Sequence, residues 1–341
     1  MSALQPILAR LADGARLSRD EADAAFTLLM DGDAGDVEIA AFLMALRVRG
    51  ESIDEIAAGA RALRARATKV DADDDVVDTC GTGGAWSTVN VSTAAAIVAA
   101  GAGAKVAKHG NRTATRKSGS ADVLEALGVN LEANPETVAR CVREAGVGFL
   151  FAPAHHSAMR HVGPARKALG VRTIFNLIGP LSNPAGAKRQ LLGVSRREAV
   201  KPMAEALGQL GASHAWVVHG EDGLDEITTT GRTFVAALEN GKVREFAVTP
   251  KDAKLAKASA DDLAGGAPME NAARIRGVLE GEPGPSRDII VLNAGAALHV
   301  AGRAPDLRSG VEACQTAIDD GRAKTALARL VALSHGRGPD A

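Results

Sequence analysis

The sequence has few aromatic residues: no tyrosine, two tryptophans and seven phenylalanines among 341 residues. A nucleic-acid surface built on stacked rings is therefore not expected. Neither sign of charge is in excess, because the sequence has 40 lysines and arginines and 41 aspartates and glutamates, which gives a net charge of −1. No global field favours nucleic acid or a membrane surface. We therefore predict neither nucleic acid nor a membrane as a partner. In addition, no apolar run approaches the roughly 20 residues that a membrane span needs.

Cysteine is scarce as well, with three residues far apart in the chain: Cys80, Cys141 and Cys314. The odd number and the lack of a Cys-x-x-Cys pair argue against a disulfide framework or a zinc site. The N-terminal stretch MSALQPILARLADG carries a charged residue within its first turns and lacks the apolar centre of a signal peptide. These features predict a cytoplasmic protein with reduced thiols.

Residues 1 to about 68 show apolar residues at helical spacing only. Ser18 and Ser52 each precede an acid by three residues, Glu21 and Glu55, which is the pattern of a capping box at a helix start. Gly50 is placed to end a helix. The sequence therefore predicts a helical domain over residues 1–69, with a later helical contribution from about 165–190.

From Val70 onward, short apolar runs alternate with helical stretches. This alternation predicts an α/β domain over residues 70–341 with a mainly parallel central sheet. Residues 228–248 are typical of a hairpin closed by Asn240 and Gly241. The predicted strands lie in the runs DDVVDTC, KVAKHG, VGFLFAP, QLLGVS and HAWVVHG.

Ligands of parallel α/β sheets bind beyond the carboxyl ends of the strands, which here directs attention to residues 79–92, 108–120, 152–157 and 219–226. In the first segment, Gly81-Thr82-Gly83-Gly84 precedes a helix predicted to begin near Ser92. Glycine backbone and a helix N-terminus suit an anion. Neither the Rossmann nor the Walker spacing fits. The alternative is a tight turn with Ser92 as helix cap.

The second segment is basic. Four cations lie within ten residues and are followed by a helix start at Ser118-Gly119-Ser120, an arrangement that suits a diphosphate. The alternative is a solvated surface loop. The cations are Lys108, Arg112, Arg116 and Lys117.

Two further segments carry candidate ligands. Asp225 and Glu226, after a predicted strand, are hard oxygen donors that suit Mg²⁺, unless they form an exposed acidic turn. Arg166 is suited to bind a small carboxylate through its two-pronged guanidinium, or it is a surface arginine. Metal binding is not favoured for the nearby histidines, because no cysteine or carboxylate completes a set. These histidines are His155, His156 and His161.

Together these segments resemble the anthranilate phosphoribosyltransferase family, whose motifs match in order and spacing over nearly the whole chain. The matching stretches are GTGG…TVNVST, KHGNR…KSGSADVLEALG, FAPAHHSAMRHVGPARKALGVRTIFNLIGPLSNPAG and GLDEI. The resemblance implies a small helical domain plus a larger α/β domain of the nucleoside phosphorylase and phosphoribosyltransferase type, and a homodimer through the helical domains. It implies transfer of phosphoribose from phosphoribosyl pyrophosphate to the amine of anthranilate, the second step of tryptophan biosynthesis from chorismate.

The resemblance also assigns site residues by position. Anthranilate contacts are implied for Gly81, His109, Asn111, Pro153 and Arg166. The Mg²⁺ cofactor is implied to be held by Ser92, Asp225 and Glu226. No residue with a clear acid or base role is implied. The phosphoribosyl pyrophosphate site is implied to comprise Gly81, Gly84, Ala85, Thr88, Asn90, Val91, Ser92, Thr93, Lys108, Asn111, Arg112, Lys117 and Ser120.

The chain departs from the family pattern in two places. Gly84 is followed by Ala85-Trp86-Ser87, where the family usually has Asp-Gly and a loop one residue longer, and Thr115-Arg116 replaces small hydroxyl residues. We expect altered ribose or magnesium handling. Two alternatives stay open: an enzyme like the pyrimidine nucleoside phosphorylases, against which KHGNR and the Asp225-Glu226 pair argue, and a non-catalytic paralogue that binds a nucleotide or nucleic acid.

Overall fold

The N-terminal part of the computed structural model, which describes residues 3–73, 75–113 and 117–340, is helical. The hydroxyls of Ser18 and Ser52 accept hydrogen bonds from the backbone N–H groups of Glu21 and Glu55, and both glutamates reciprocate at 2.8 Å. The predicted capping boxes are confirmed, and Gly50 ends a helix as predicted. The first four helices are α1 (Gln5–Ala12), α2 (Arg19–Asp31), α3 (Asp36–Arg49) and α4 (Ile53–Ala65).

In the described part of the remaining chain, seven strands form one sheet in the order β3-β2-β1-β4-β5-β6-β7. The first five strands in this order are parallel, and the β6–β7 hairpin adds two antiparallel strands. Asn240 and Gly241 turn the hairpin with positive φ, as predicted. The α/β fold is confirmed. Its strands are β1 (Val77–Asp78), β2 (Val106–Gly110), β3 (Val147–Phe151), β4 (Arg189–Gly193), β5 (His214–Gly220), β6 (Thr233–Glu239) and β7 (Lys242–Val248).

Helices cover both faces of this sheet. Short 3₁₀ segments accompany them at Ser157–His161, Arg197–Ala199 and Pro250–Ala253. The α-helices are α5 (Val91–Gly101), α6 (Ser120–Ala126), α7 (Pro135–Ala145), α8 (Ala152–His155), α9 (Gly163–Leu169), α10 (Phe175–Ile178), α11 (Val200–Gln209), α12 (Ala260–Leu263), α13 (Pro268–Leu279), α14 (Pro285–Val300), α15 (Leu307–Asp319) and α16 (Arg322–Ser334).

The 3₁₀ segment Ser157–His161 is followed by α9, because Pro164 lacks a backbone N–H and is accepted in the first turn of a helix but not in its interior. One helix cap needs correction. The cap of α5 is Asn90, with φ of +60°, and not Ser92, which lies in the first turn.

The N-terminal helices and the sheet share one hydrophobic core. The Phe26 ring packs edge-on against Phe42 and Phe175, at centroid distances of 5.4 and 6.3 Å. Ile178 of α10 and Val217 of β5 belong to the same cluster. The opposite sheet face packs on α5 and α14. Through the described ranges, no helix has the length and apolar character of a membrane span.

Candidate active site

The centre of the sheet contains a topological switch point. Strands β1 and β4 are neighbours, β2 and β3 continue to one side, and β5 to β7 continue to the other. Such a switch leaves a crevice beyond the carboxyl ends of the two central strands. The four segments singled out in the sequence follow β1, β2, β3 and β5, so they all lie at this edge.

The glycine-rich loop after β1 is held by its own backbone. The Thr82 N–H donates to the Gly193 carbonyl at 2.8 Å, and Arg172 donates from Nη2 to the Thr82 carbonyl at 2.8 Å. Gly84 has φ of +100°, and a Cβ at this position would lie 2.5 Å from Arg172 Nη1. Only glycine fits there without moving the arginine. The loop therefore passes close beneath a guanidinium.

The altered segment Ala85-Trp86-Ser87 is docked against the rest of the protein. Trp86 donates from Nε1 to the Asp222 carbonyl at 3.3 Å, and the Gly265 N–H donates to the Ser87 carbonyl at 2.9 Å. Ala85 and Trp86 also pack on the larger core. Trp86 thus connects the glycine loop to the acidic segment after β5.

The N-terminus of α5 ties three segments together. Asn90 donates from Nδ2 to the Ser118 carbonyl at 3.1 Å and accepts at Oδ1 from Asn271 Nδ2 at 2.7 Å. Val91 and Thr93 are buried, and Thr88 forms a β-bridge with Ala264. Because the side chains of Thr88, Val91 and Thr93 are buried, these predicted binding residues can offer a ligand mainly their backbone groups.

Lys108 lies at the foot of the glycine loop. Its buried Nζ is 3.3 Å from Ser92 Oγ and 3.3 Å from both the carbonyl and the hydroxyl oxygens of Thr79. Asp78, fully buried in β1, accepts the His109 N–H at 3.1 Å and Asn183 Nδ2 at 2.8 Å. Burial raises the pKa of Asp78 to about 6, against the opposing charge of Lys108. Lys108 is therefore a fixed cation beneath the loop.

Arg112, one of the cations predicted to bind diphosphate, pairs with acidic side chains of the protein. Its guanidinium forms exposed ion pairs with Asp122 and Glu125 of α6, both at 2.9 Å, so its charge faces this helix. The spacing of cations in the sequence did not predict these ion pairs, because the acidic partners lie on the helix that follows the loop.

The remaining basic-segment residues lie around the start of α6. Ser120 donates from Oγ to the Asn111 carbonyl at 3.2 Å, and the Asn111 side chain accepts the Arg112 N–H at 2.7 Å. Lys117 is exposed. Thr115 and Arg116 lie outside the described residues.

One of the two predicted carboxylate ligands, Glu226, contacts the first turn of α5, and the other, Asp225, lies beside the glycine loop. The Ser92 N–H donates to Glu226 Oε1 at 3.3 Å. Asp225 is buried, and a Cβ on Gly81 would lie 3.5 Å from its Oδ2. The set of a hydroxyl and two carboxylates provides the hard oxygens that Mg²⁺ prefers. The donor set therefore fits Mg²⁺.

Two predicted anthranilate residues follow adjacent strands. His109 is buried at the end of β2, with Nε2 3.2 Å from Nε2 of His156, while Pro153 is exposed in the first turn of α8 after β3. Burial lowers the pKa of His109 and takes that of His156 to about 4. Both rings are therefore neutral at pH 7, with one nitrogen donating to the other.

Arg166, the remaining predicted anthranilate ligand, lies on α9. Its guanidinium carbon lies 5.1 Å from the centroid of the Phe175 ring, and burial lowers its pKa, although an arginine stays charged. Across residues 3–73, 75–113 and 117–340, this guanidinium has no hydrogen-bond or ion-pair partner. A half-buried cation without a protein anion is suited to bind an anionic ligand.

Sequence reasoning missed the residues that brace these loops. Arg172, Asn183 and Asn271 act on groups that are 76 to 183 residues away in the chain. No local pattern reports such pairings. Arg172 and Asn183 do stand in one of the stretches that carry the family resemblance, and that was the available signal.

Comparison with known proteins agrees with this geometry. Two family models match: the glycosyl transferase family helical bundle domain over residues 5–67 and the glycosyl transferase family a/b domain over residues 73–324. Proteins named anthranilate phosphoribosyltransferase from Afipia carboxidovorans and Parvibaculum lavamentivorans are 57% and 55% identical, over 98% and 99% of this chain and 99% of each relative.

Solved structures agree as well. Anthranilate phosphoribosyltransferase (TrpD) from Thermus thermophilus has a TM-score of 0.91 and 46% identity, covering 98% of this chain and 100% of its own. The enzyme from Saccharomyces cerevisiae in complex with PRPP and Mg has a TM-score of 0.88 and 28% identity, covering 98% of each chain. The chain therefore belongs to the anthranilate phosphoribosyltransferase family of glycosyl transferases.

Proposed function

We propose that this protein is an enzyme that transfers phosphoribose from phosphoribosyl pyrophosphate to the amine of anthranilate, giving N-(5-phosphoribosyl)anthranilate and pyrophosphate. This is the second step of tryptophan biosynthesis from chorismate. The observation that carries the proposal is the position of Ser92. Its hydroxyl contacts the Lys108 ammonium and its N–H contacts the Glu226 carboxylate, at a helix N-terminus that faces a glycine-rich loop.

The reaction breaks the C1–O bond of the ribose, so positive charge develops on the sugar and negative charge on the leaving diphosphate. Backbone N–H groups of the glycine loop, the α5 N-terminus and Lys108 are placed to stabilise the developing negative charge. Mg²⁺, when bound, neutralises diphosphate oxygens and orients them. Ser92, Asp225 and Glu226 are the residues that would hold it.

The other substrate needs orientation more than activation. The anthranilate amine is neutral at physiological pH, so it attacks C1 without prior removal of a proton, and the proton leaves after the C–N bond has formed. Arg166 binds the anthranilate carboxylate, and the neutral pair of His109 and His156 lines the approach with Pro153. Most of the rate enhancement then comes from charge stabilisation and positioning.

The proposed phosphoribosyl pyrophosphate site keeps its predicted members, with one change of role, at Arg112. Lys108 acts from beneath the loop, and Arg112 orders the start of α6 through its ion pairs. Trp86 takes part by fixing the shortened loop to the acidic segment. We expect the altered loop to change the handling of ribose or magnesium and not the reaction.

The proposal includes a boundary between a helical domain, residues 1–69 with a contribution from about 165–190, and an α/β domain, residues 70–341. It also includes a homodimer formed through the helical domain. Helix α3 supports it, because Val37 and Val48 are 83% and 80% exposed and lie on one stripe with Ala41 and Met44. Replacing both valines by glutamate should convert the dimer to a monomer in sedimentation analysis. An unchanged mass would contradict this interface.

A cytoplasmic location is proposed as well. Cys80, Cys141 and Cys314 are free thiols, the state that a reducing compartment maintains. Fractionation of cells that express the tagged protein should place it with cytoplasmic markers, and recovery with another fraction would contradict the proposal.

The activity is tested by mixing the protein with anthranilate, phosphoribosyl pyrophosphate and Mg²⁺ and following the loss of anthranilate fluorescence. We expect loss only when all three are present. A protein that instead cleaves pyrimidine nucleosides with inorganic phosphate, or that consumes no anthranilate at high concentration, would contradict the proposal.

A further inference from the structure

Three side chains with metal-binding atoms meet at the end of β5 that lies away from the crevice. His214 is the first residue of β5 and lies directly opposite Glu239, the last residue of β6. His299 comes from the last turn of α14. One ligand atom from each of the three lies within 4.8 Å of those of the other two. The cluster is therefore built by the antiparallel register and by one packed helix.

The nitrogen atoms are arranged for binding. His214 Nε2 is 3.3 Å from Glu239 Oε1, yet this buried nitrogen lacks a well-aligned hydrogen bond. His299 Nδ1 lies 3.0 Å from the Ala304 carbonyl, so Nδ1 carries the proton and donates it. Its Nε2 then keeps a free lone pair, and this orientation by a backbone carbonyl is the one usual for metal-bound histidine.

The surroundings of the cluster are apolar on one side and open on the other. The rings of His214 and Trp216 pack edge-on against His299, at 5.3 and 5.1 Å between centroids. The Glu239 side chain is 41% exposed, which gives an ion and its water ligands an entry path.

Two electrostatic effects on cation binding oppose each other around His214. Burial, with the nearby His299, lowers the pKa of His214, which keeps the ring neutral and able to bind a cation at pH 7. Arg189, the neighbour of His214 in β4, is a positive charge close enough to add to that lowering, and it acts against a bound cation. Glu239 supplies the compensating negative charge.

We propose that His214, Glu239 and His299 form a site for Zn²⁺ or a similar transition-metal ion, separate from the magnesium site. Bonds of about 2.0–2.1 Å in a tetrahedral site place ligand atoms roughly 3.3–3.4 Å apart, so the three groups must approach by at most about 1.5 Å. Two imidazoles and one carboxylate leave a position for water, and imidazole selects Zn²⁺, Cu²⁺ or Ni²⁺ over Mg²⁺. The ion would join β5, β6 and α14 and stabilise the fold without entering the transfer reaction.

The test is calorimetric titration of the chelator-treated full chain with Zn²⁺, in excess Mg²⁺ so that the carboxylates of the crevice are occupied. We expect one tight site per chain. Binding should weaken by at least about 100-fold in His299→Ala and in Glu239→Gln, since loss of even an outer-shell partner costs 10- to 100-fold. Zn²⁺ should also raise the Tm of the wild type and not of these variants, which should keep transfer activity within about twofold of wild type because the cluster lies outside the crevice.

Two controls separate this cluster from other thiols and histidines. His335→Ala removes an exposed histidine elsewhere, and Cys80→Ser removes a thiol from a second group in the crevice, formed with Asp78 and His109. Neither change should affect the tight site. Zn²⁺ binding that is lost in Cys80→Ser, that persists in both His299→Ala and Glu239→Gln, or that is absent from the wild type would overturn the proposal.

Discussion

Replacing Arg166 by alanine removes a cation that has no anionic partner within the described protein. If that cation binds the anthranilate carboxylate, the variant loses a charge-assisted hydrogen bond of about 1.5–3 kcal/mol. Because each 1.4 kcal/mol is a factor of ten, the KM for anthranilate should rise by about 10- to 150-fold. The bond is equally strong before and during the transfer, so kcat should change little.

The assay is initial-rate loss of anthranilate fluorescence at saturating phosphoribosyl pyrophosphate and Mg²⁺. Arg166→Lys keeps the charge and loses the planar fork, so its KM should fall between those of the wild type and the alanine variant. Arg160→Ala removes an exposed arginine from the preceding 3₁₀ segment and serves as the matched control. The lost cation–π contact with Phe175 is worth about 0.5–2 kcal/mol, which is small beside the roughly 5–15 kcal/mol of a typical folded protein, so the variant should stay folded. A fall in kcat at unchanged KM for anthranilate would refute the assigned role.

Three further predictions concern the sheet edge. Replacing Asp225 and Glu226 by alanine should weaken metal-dependent turnover and raise the Mg²⁺ concentration for half-maximal rate; an unchanged magnesium dependence would reject the metal assignment. Gly193→Ala should also raise the Mg²⁺ concentration for half-maximal rate, because its Cβ would lie 1.7 Å from the Asp225 carbonyl oxygen. Gly163→Ala is the control and should leave this concentration unchanged, because the space around its Cβ is open. Equal magnesium titrations for both variants would contradict this packing. The pKa of Asp78 is about 6 when folded and about 3.9 when unfolded, so protonated Asp78 favours the folded state at low pH and this advantage is lost as pH rises from about 4 to about 6. The urea midpoint of the wild type relative to Asp78→Asn should therefore decline across that window, and a relative increase would contradict the burial argument.

Local patterns predicted the fold well, because its determinants lie within a few residues of each other. The capping boxes at Ser18 and Ser52 and the Asn240-Gly241 turn each depend on neighbours in the sequence. The strands were predicted because short apolar runs were separated by helical stretches. Strand order was not predicted, because it depends on packing between distant segments.

The candidate site could be predicted as four segments at one sheet edge, but not as a set of contacts. Asn90 takes the N-cap position of α5 without a side-chain capping bond, because its side chain bonds instead to Ser118 and Asn271, which are distant in sequence. Arg112 was counted among the cations for diphosphate, and its pairing with α6 was not visible from charge spacing. Pairings of this kind are decided by tertiary structure.

The central claim is that the protein transfers phosphoribose from phosphoribosyl pyrophosphate to anthranilate and releases pyrophosphate. Phosphorus NMR of the complete mixture, with anthranilate fluorescence followed in parallel, measures this directly. The account predicts one pyrophosphate formed for each anthranilate consumed, with no ribose 5-phosphate. Pyrophosphate and ribose 5-phosphate formed without loss of anthranilate, or no change in either substrate, would contradict it.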